Sequence, residues 1–201
     1  MKHRHATIKA IAYAILLCFT SLTGAQPLYA IPANTQLPAG PDGTTGKPEI
    51  MVGTVHDNVS GNTLTLTQDG KTSVLKWGDF SIGADAAVEF KSTENGFNSL
   101  NYVANGGPVS EIYGQLTALG GNIFIANPAG VQIGNSAQIN VGSLYVTNKD
   151  IGEALSRIDQ NSETSDIVSA IKGLSVADTN AELMSLGGIV APKGVTFDGA
   201  E

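Results

Sequence analysis

Very little in this sequence is equipped for covalent or metal chemistry. Its 201 residues include 1 cysteine, 1 tryptophan and 3 histidines, and acidic side chains outnumber basic ones 18 to 11. Cys18 has no partner for a disulfide, and Leu17 stands before it where a lipid-anchored cysteine expects a small residue. His3 and His5 lie at the extreme start, so His56 is the one imidazole in the body of the chain. That excludes a histidine-rich zinc centre and leaves any serine nucleophile without an obvious base. His56 itself sits in the polar stretch "TVHDNVSGN" and reads as a surface residue in a turn. No glycine-rich segment has the strand, loop and helix context of a phosphate cradle. Clustered cations are also missing, which excludes a nucleic-acid footprint.

The only long apolar run, Ala10 to Phe19, is too short to span a bilayer. It follows Lys2, Arg4 and Lys9 and precedes two small-residue sites, Thr23-Gly24-Ala25 and Leu28-Tyr29-Ala30. This is the layout of a secretory signal peptide over residues 1–30, with cleavage after Ala30 or alternatively Ala25. Cleavage at Ala30 removes three basic residues and the cysteine. The 11 basic residues fall to 8 while all 18 acidic residues stay, so the net charge moves from -7 to -10. An exported chain without cysteine must rely on a continuous buried core.

What is abundant is turn-forming residues between short apolar alternations. Residues 31–49 are dense in Pro, Gly and Thr and read as a linker or irregular cap. From Ile50 to Val146, runs such as Leu64-Thr65-Leu66, Val74-Leu75-Lys76-Trp77 and Ile123-Phe124-Ile125 alternate at period two. Gly-Asn, Asp-Gly and Asn-Pro pairs separate them. The turns come too fast for a sandwich and suit a parallel β-helix, in which short strands stack coil on coil. "NPAGVQIG" at Asn127 to Gly134 is echoed by "APKGVTFDG" at Ala191 to Gly199, as if on separate coils. Between them the period changes. Ile151, Ala154, Leu155 and Ile158, then Ile167, Ala170, Ile171 and Leu174, fall at helical spacing and predict two short amphipathic helices against the β domain. Asp150 with Glu153 suggests a capping box, and Ser165 could cap the second helix. Strand pattern resumes at Leu186 and stops at Glu201, the expectation being a fragment of a longer chain.

Two sets of residues are candidates for chemistry. Asp79 and Asp85, with Glu89 and Glu94 beyond, could supply the paired acids of a carbohydrate-active β-helix enzyme. One remaining arginine, Arg157, and the negative charge argue against an anionic substrate. Trp77, beside Val74, Leu75 and Phe80, reads as buried in preference to an exposed sugar platform. The sequence therefore predicts no catalytic residues, no metal and no cofactor.

The ordered series "LPAG", "GNTLTLTQ", "VLKWGDFSIGADAAVEF", "LNYV" and "IYGQLTALGGNIFIANPAGVQIGNSAQINVGSLYVTN" resembles the amino-terminal two-partner secretion (haemagglutination activity) domain of filamentous haemagglutinin-type exoproteins. The likeness covers residues 31–150. It departs from the family pattern at Ala129 and Val131 and in the helical segment around 150–174. The resemblance implies a right-handed parallel β-helix of the pectin-lyase-like kind, with an amino-terminal cap. It also implies recognition by an outer-membrane transporter of the two-partner type through its periplasmic domains. The chain would be secreted through the periplasm to the cell surface or medium, and a downstream region would meet a host surface. Domain limits follow as 1–30 leader, 31–150 secretion domain, and 151–201 helical insertion plus the start of another coil. Asn101, Asn127, Pro128, Gly130 and Val131 are the residues expected to serve transporter recognition or the motif turn. Asn-Pro-x-Gly fits a type I turn, so a folding role is equally open. A stand-alone adhesin or a β-helix enzyme are the alternatives.

Overall fold

The computed structural model describes residues 32–174, 183–185, 188–191 and 193–199. The leader, with its two cleavage sites, and Leu186 lie outside the described residues.

The chain enters its sheet through an antiparallel pair. Strand β1 (Glu49–Ser60) turns at Gly61, φ 56°, and returns as β2 (Thr63–Trp77). From there the strand pairing within the coils is parallel. The first half of β2, Thr63 to Gln68, pairs with β3 (Ala87–Ser92), and the second half, Thr72 to Trp77, pairs with β4 (Asn98–Val103). One strand thus lines two faces, bent where Gly70 takes φ 91°. The same happens in β6 (Gln115–Ala126), which stacks on β3 and then on β4, and in β8 (Gln138–Thr147), which stacks on both halves of β6. Short strands β10 (Gly188–Val190) and β11 (Val195–Asp198) continue the two halves of β8. A third face is the small sheet of β5 (Ser110–Ile112), β7 (Val131–Ile133) and β9 (Leu183–Ser185). Three faces wound by successive coils make a parallel β-solenoid.

Strand register turns sequence alternation into columns. Leu64, Val88, Leu116 and Ile139 stack in one inward file, and Ile82, Ile112 and Ile133 in another, all essentially without solvent contact. Each such side chain gains about 1.5–3 kcal/mol on burial, which offsets the ordering of its coil. The short runs fuse into strands of up to 15 residues because the chain turns its corners at Gly70 and Gly120, where the ladder is interrupted and then resumes. His56 lies within β1, not in a turn, although it is exposed as expected. The two echoed segments are not equivalent coils: Val131 starts a strand of the small sheet, while Val195 pairs with Leu144 on the large one.

Of the two expected helices, one forms. The segment from Ile151 to Ile158 holds only a 3-10 turn, Leu155–Arg157. Gly152 and two β-branched ends disfavour a helix too short to nucleate alone. Asp150 Oδ1 accepts from the Gly152 N–H at 2.9 Å and from Tyr102 Oη at 3.1 Å, a local turn in place of the capping box. Helix α1 (Thr164–Lys172) starts earlier than Ser165 predicts. Glu163 is its N-cap, and its N–H donates to Asp166 Oδ2 at 2.9 Å. The apolar stripe is nonetheless placed as the periodicity requires: Ile151, Ala154, Ile158, Ile167, Ala170 and Ile171 bury against the outward file Val74, Leu100, Phe124 and Tyr145.

Candidate functional site

Asn127 occupies a corner between β6 and β7 and spends its whole hydrogen-bonding capacity there. Its N–H donates to Thr147 O at 3.0 Å. The side-chain Nδ2 donates to Pro108 O at 2.8 Å and to Ser110 Oγ at 2.9 Å, while Oδ1 accepts from the Ala129 N–H at 2.9 Å. The Gly130 N–H closes the turn on Asn127 O at 2.9 Å, with Gly130 at φ 108°. Pro128 fixes φ at the second position, and glycine tolerates the positive φ at the fourth. One asparagine therefore ties together the start of β5, the corner itself and the end of β8. It is 0% exposed, and Pro128, Gly130 and Val131 are buried with it.

Asn101 has a related role in the preceding coil. It stands in the inward file Leu75, Asn101, Ile125, Val146, a polar residue among apolar ones. Its Oδ1 accepts from Trp77 Nε1 at 3.1 Å, and its Nδ2 faces Ser99 O at 3.3 Å and Phe124 O at 3.4 Å. Trp77 is fully buried and tilted on Phe80 at 5.5 Å, as the sequence suggests. Replacing Asn101 by alanine leaves the indole N–H without its acceptor, and a loss of about 2 kcal/mol is expected, measurable by urea denaturation. None of the five expected residues offers an exposed epitope on the folded domain.

The four candidate carboxylates sit in different settings. Asp79 accepts from Gln36 Nε2 at 2.7 Å, Asp85 and Glu94 are exposed, and Glu89 is paired with Lys91 at 2.9 Å. Glu89 and Lys91 line a groove of about 300 Å³ with Phe90, Phe97, Thr117 and Leu119. Its acid is already neutralised. Among the described residues no three His, Cys, Asp or Glu side chains gather to hold a metal.

Sequence reading missed Glu111. It is 7% exposed, its Oε1 lacks a hydrogen-bond partner among the described residues, and the Asp79 carboxylate lies close enough to act on it. Burial first, then the Asp79 charge, raises its carboxyl above the ordinary 4.5. A raised carboxyl favours the fold below pH 4.5 and loses that contribution as pH rises through the folded value. Glu111→Gln is therefore expected to be more stable than wild type at pH 7. The difference between them should shrink on acidification toward pH 4.5, as read from melting temperature against pH.

With fold and corner in place, comparison with known proteins decides the family. A family profile described as "TPS secretion domain" matches residues 38–185. The chain belongs to this family. The match runs past residue 150 to residue 185. Two relatives, both named heme/hemopexin-binding protein and both from Haemophilus influenzae, are 37% identical over 146 residues and 35% identical over 117. Those stretches cover 73% and 58% of this chain but 14% and 12% of the relatives, so the chain spans a small part of their length. The crystal structure of the HMW1 secretion domain from Haemophilus influenzae superposes with a TM-score of 0.55 at 21% identity. That superposition covers 70% of this chain and 35% of the other. It carries the shared solenoid fold. The family is that of a secretion domain, and catalysis is no part of its description.

Proposed function

We propose that this secretion domain is the export address of a large Gram-negative exoprotein, read by an outer-membrane transporter of the two-partner type through its periplasmic domains. The observation that carries the reading is the family match across residues 38–185, together with relatives several times longer than this chain. The thin inventory of reactive groups accords with a domain whose work is to be recognised and moved.

Residues 1–30 are the leader in this reading, with cleavage after Ala30 or alternatively Ala25. The chain then crosses the periplasm and reaches the cell surface or medium. Asn101, Asn127, Pro128, Gly130 and Val131 act mainly by building the solenoid, since their burial removes them from any partner that meets the folded domain. A transporter that meets the chain before it folds can still read them. The names of the two relatives, heme/hemopexin-binding protein, support a binding role for the downstream part of such an exoprotein.

Binding of the purified transporter periplasmic domains to the chain tests the order of events. The chain held in mild urea is expected to bind more tightly than the folded domain. Equal binding of Asn127→Ala and wild type in urea would assign Asn127 to folding, whereas a selective loss would assign it to recognition.

A further inference from the structure

The segment from Asp159 to Thr164 carries no strand, yet it lies across three coils at once. The Thr72 N–H donates to Gln160 O at 3.1 Å, and Thr72 Oγ1 donates to Ser162 O at 2.6 Å. Asn98 Nδ2 also reaches Ser162 O, at 3.2 Å. Thr164 Oγ1 donates to Asn98 Oδ1 at 2.7 Å and accepts from Asn122 Nδ2 at 3.2 Å. Lys71 and Glu163 pair beside them at 3.2 Å. These contacts meet one polar file, since Thr72, Asn98, Asn122 and Ser143 are register partners on β2, β4, β6 and β8.

The file is able to form without the strap. Asn98 Nδ2 donates to Thr72 Oγ1 at 2.9 Å, Asn122 Nδ2 to Asn98 Oδ1 at 3.0 Å, and Ser143 Oγ to Asn122 Oδ1 at 2.8 Å, each across 21 to 26 residues. The strap contacts instead close 90, 66 and 42 residues. Longer closures cost more chain entropy and reward it later. The flanking 3-10 turn and nine-residue α1 are too short to persist unless docked. They also need the outward file of Val74, Leu100, Phe124 and Tyr145 assembled before they can bury anything.

We propose that residues 159–164, with α1 behind them, form a strap that closes last over the stacked coils and locks them. Such a lock goes beyond the assignment to a secretion domain and stands without it. If the export reading holds, the coils stay loosely held until the strap has emerged, which keeps the preceding chain easier to move in an unfolded form.

Stopped-flow refolding and unfolding of the full chain in urea, wild type against Thr164→Val, tests this. Valine keeps the shape and removes both hydrogen bonds of the hydroxyl. A strap that closes after the transition state leaves the folding rate within about twofold and raises the unfolding rate by about tenfold. A folding rate slowed in proportion, or both rates unchanged, overturns the proposal. Native-state hydrogen exchange provides a second reading that does not depend on a variant. The Thr72 amide, which donates to Gln160 O, is expected to exchange through a smaller opening than the Leu100 and Phe124 amides. Exchange of all three only by global unfolding contradicts a separate strap.

Discussion

Asn127→Ala is expected to destabilise the domain by about 3 kcal/mol, since it removes three side-chain hydrogen bonds at once, one of them to buried Ser110. The Ala129 N–H loses its acceptor, and Pro108 O and Ser110 Oγ lose their donor. Asn127 and Ser110 are both 0% exposed, so no solvent replaces the asparagine at the hydroxyl, whereas Ala129 is half-buried and Pro108 exposed. Aspartate is no remedy: it keeps the acceptor for Ala129 but sets a carboxylate oxygen against Pro108 O. Urea midpoints are expected to fall for both variants, and to fall at least as far for Asn127→Asp at neutral pH. A midpoint within error of wild type for Asn127→Ala contradicts the assignment of the corner as a tie between coils.

A larger effect is expected from a single added methyl group. A Cβ on Gly114 would sit 2.2 Å from Gly83 O and 2.3 Å from Ala86 O, with Ile82 Cγ2 at 2.8 Å. Neither carbonyl is free to retreat. Gly83 O accepts from the Ala86 N–H at 2.9 Å, and Ala86 O accepts from the Gln115 N–H at 2.9 Å. Coil sits directly on coil here, so Gly114→Ala is expected to cost more than about 4 kcal/mol and to leave the chain largely unfolded. Gly173→Ala supplies the contrast. It faces open space at the carboxyl end of α1 with φ -75°, and alanine there is expected to be neutral or slightly stabilising. Circular dichroism and thermal melts of the two variants check both statements.

The legible features of this protein are those governed by local periodicity. Alternation at Leu64 to Leu66, Val74 to Trp77 and Ile123 to Ile125 announces inward and outward files, and Asn127-Pro128-Ala129-Gly130 announces a turn, because side-chain direction and φ preference are set within a few residues. Burial of Trp77 follows from its apolar neighbours. Glu111 is not legible, because a lone charge in "SEI" carries no local sign of burial, and Asp79, which adds to the effect, lies 32 residues away in sequence. Ser162 and Thr164 look like ordinary loop residues until the register of three strands brings a polar file beneath them. The helix expected from Ile151 to Ile158 shows the converse: its apolar spacing is real and its stripe is buried, yet Gly152 and the short length leave only a turn. Periodicity reports which face is buried more reliably than it reports how the backbone gets there.

The most direct test of the export reading is a secretion measurement. The chain, with its leader, is produced in a Gram-negative host with and without the outer-membrane two-partner transporter of its own genome, and periplasm and medium are assayed. The chain is expected to reach the medium only when the transporter is present and to collect in the periplasm otherwise. Equal amounts in the medium with and without the transporter, or retention in the periplasm in both, would contradict its role as an export address.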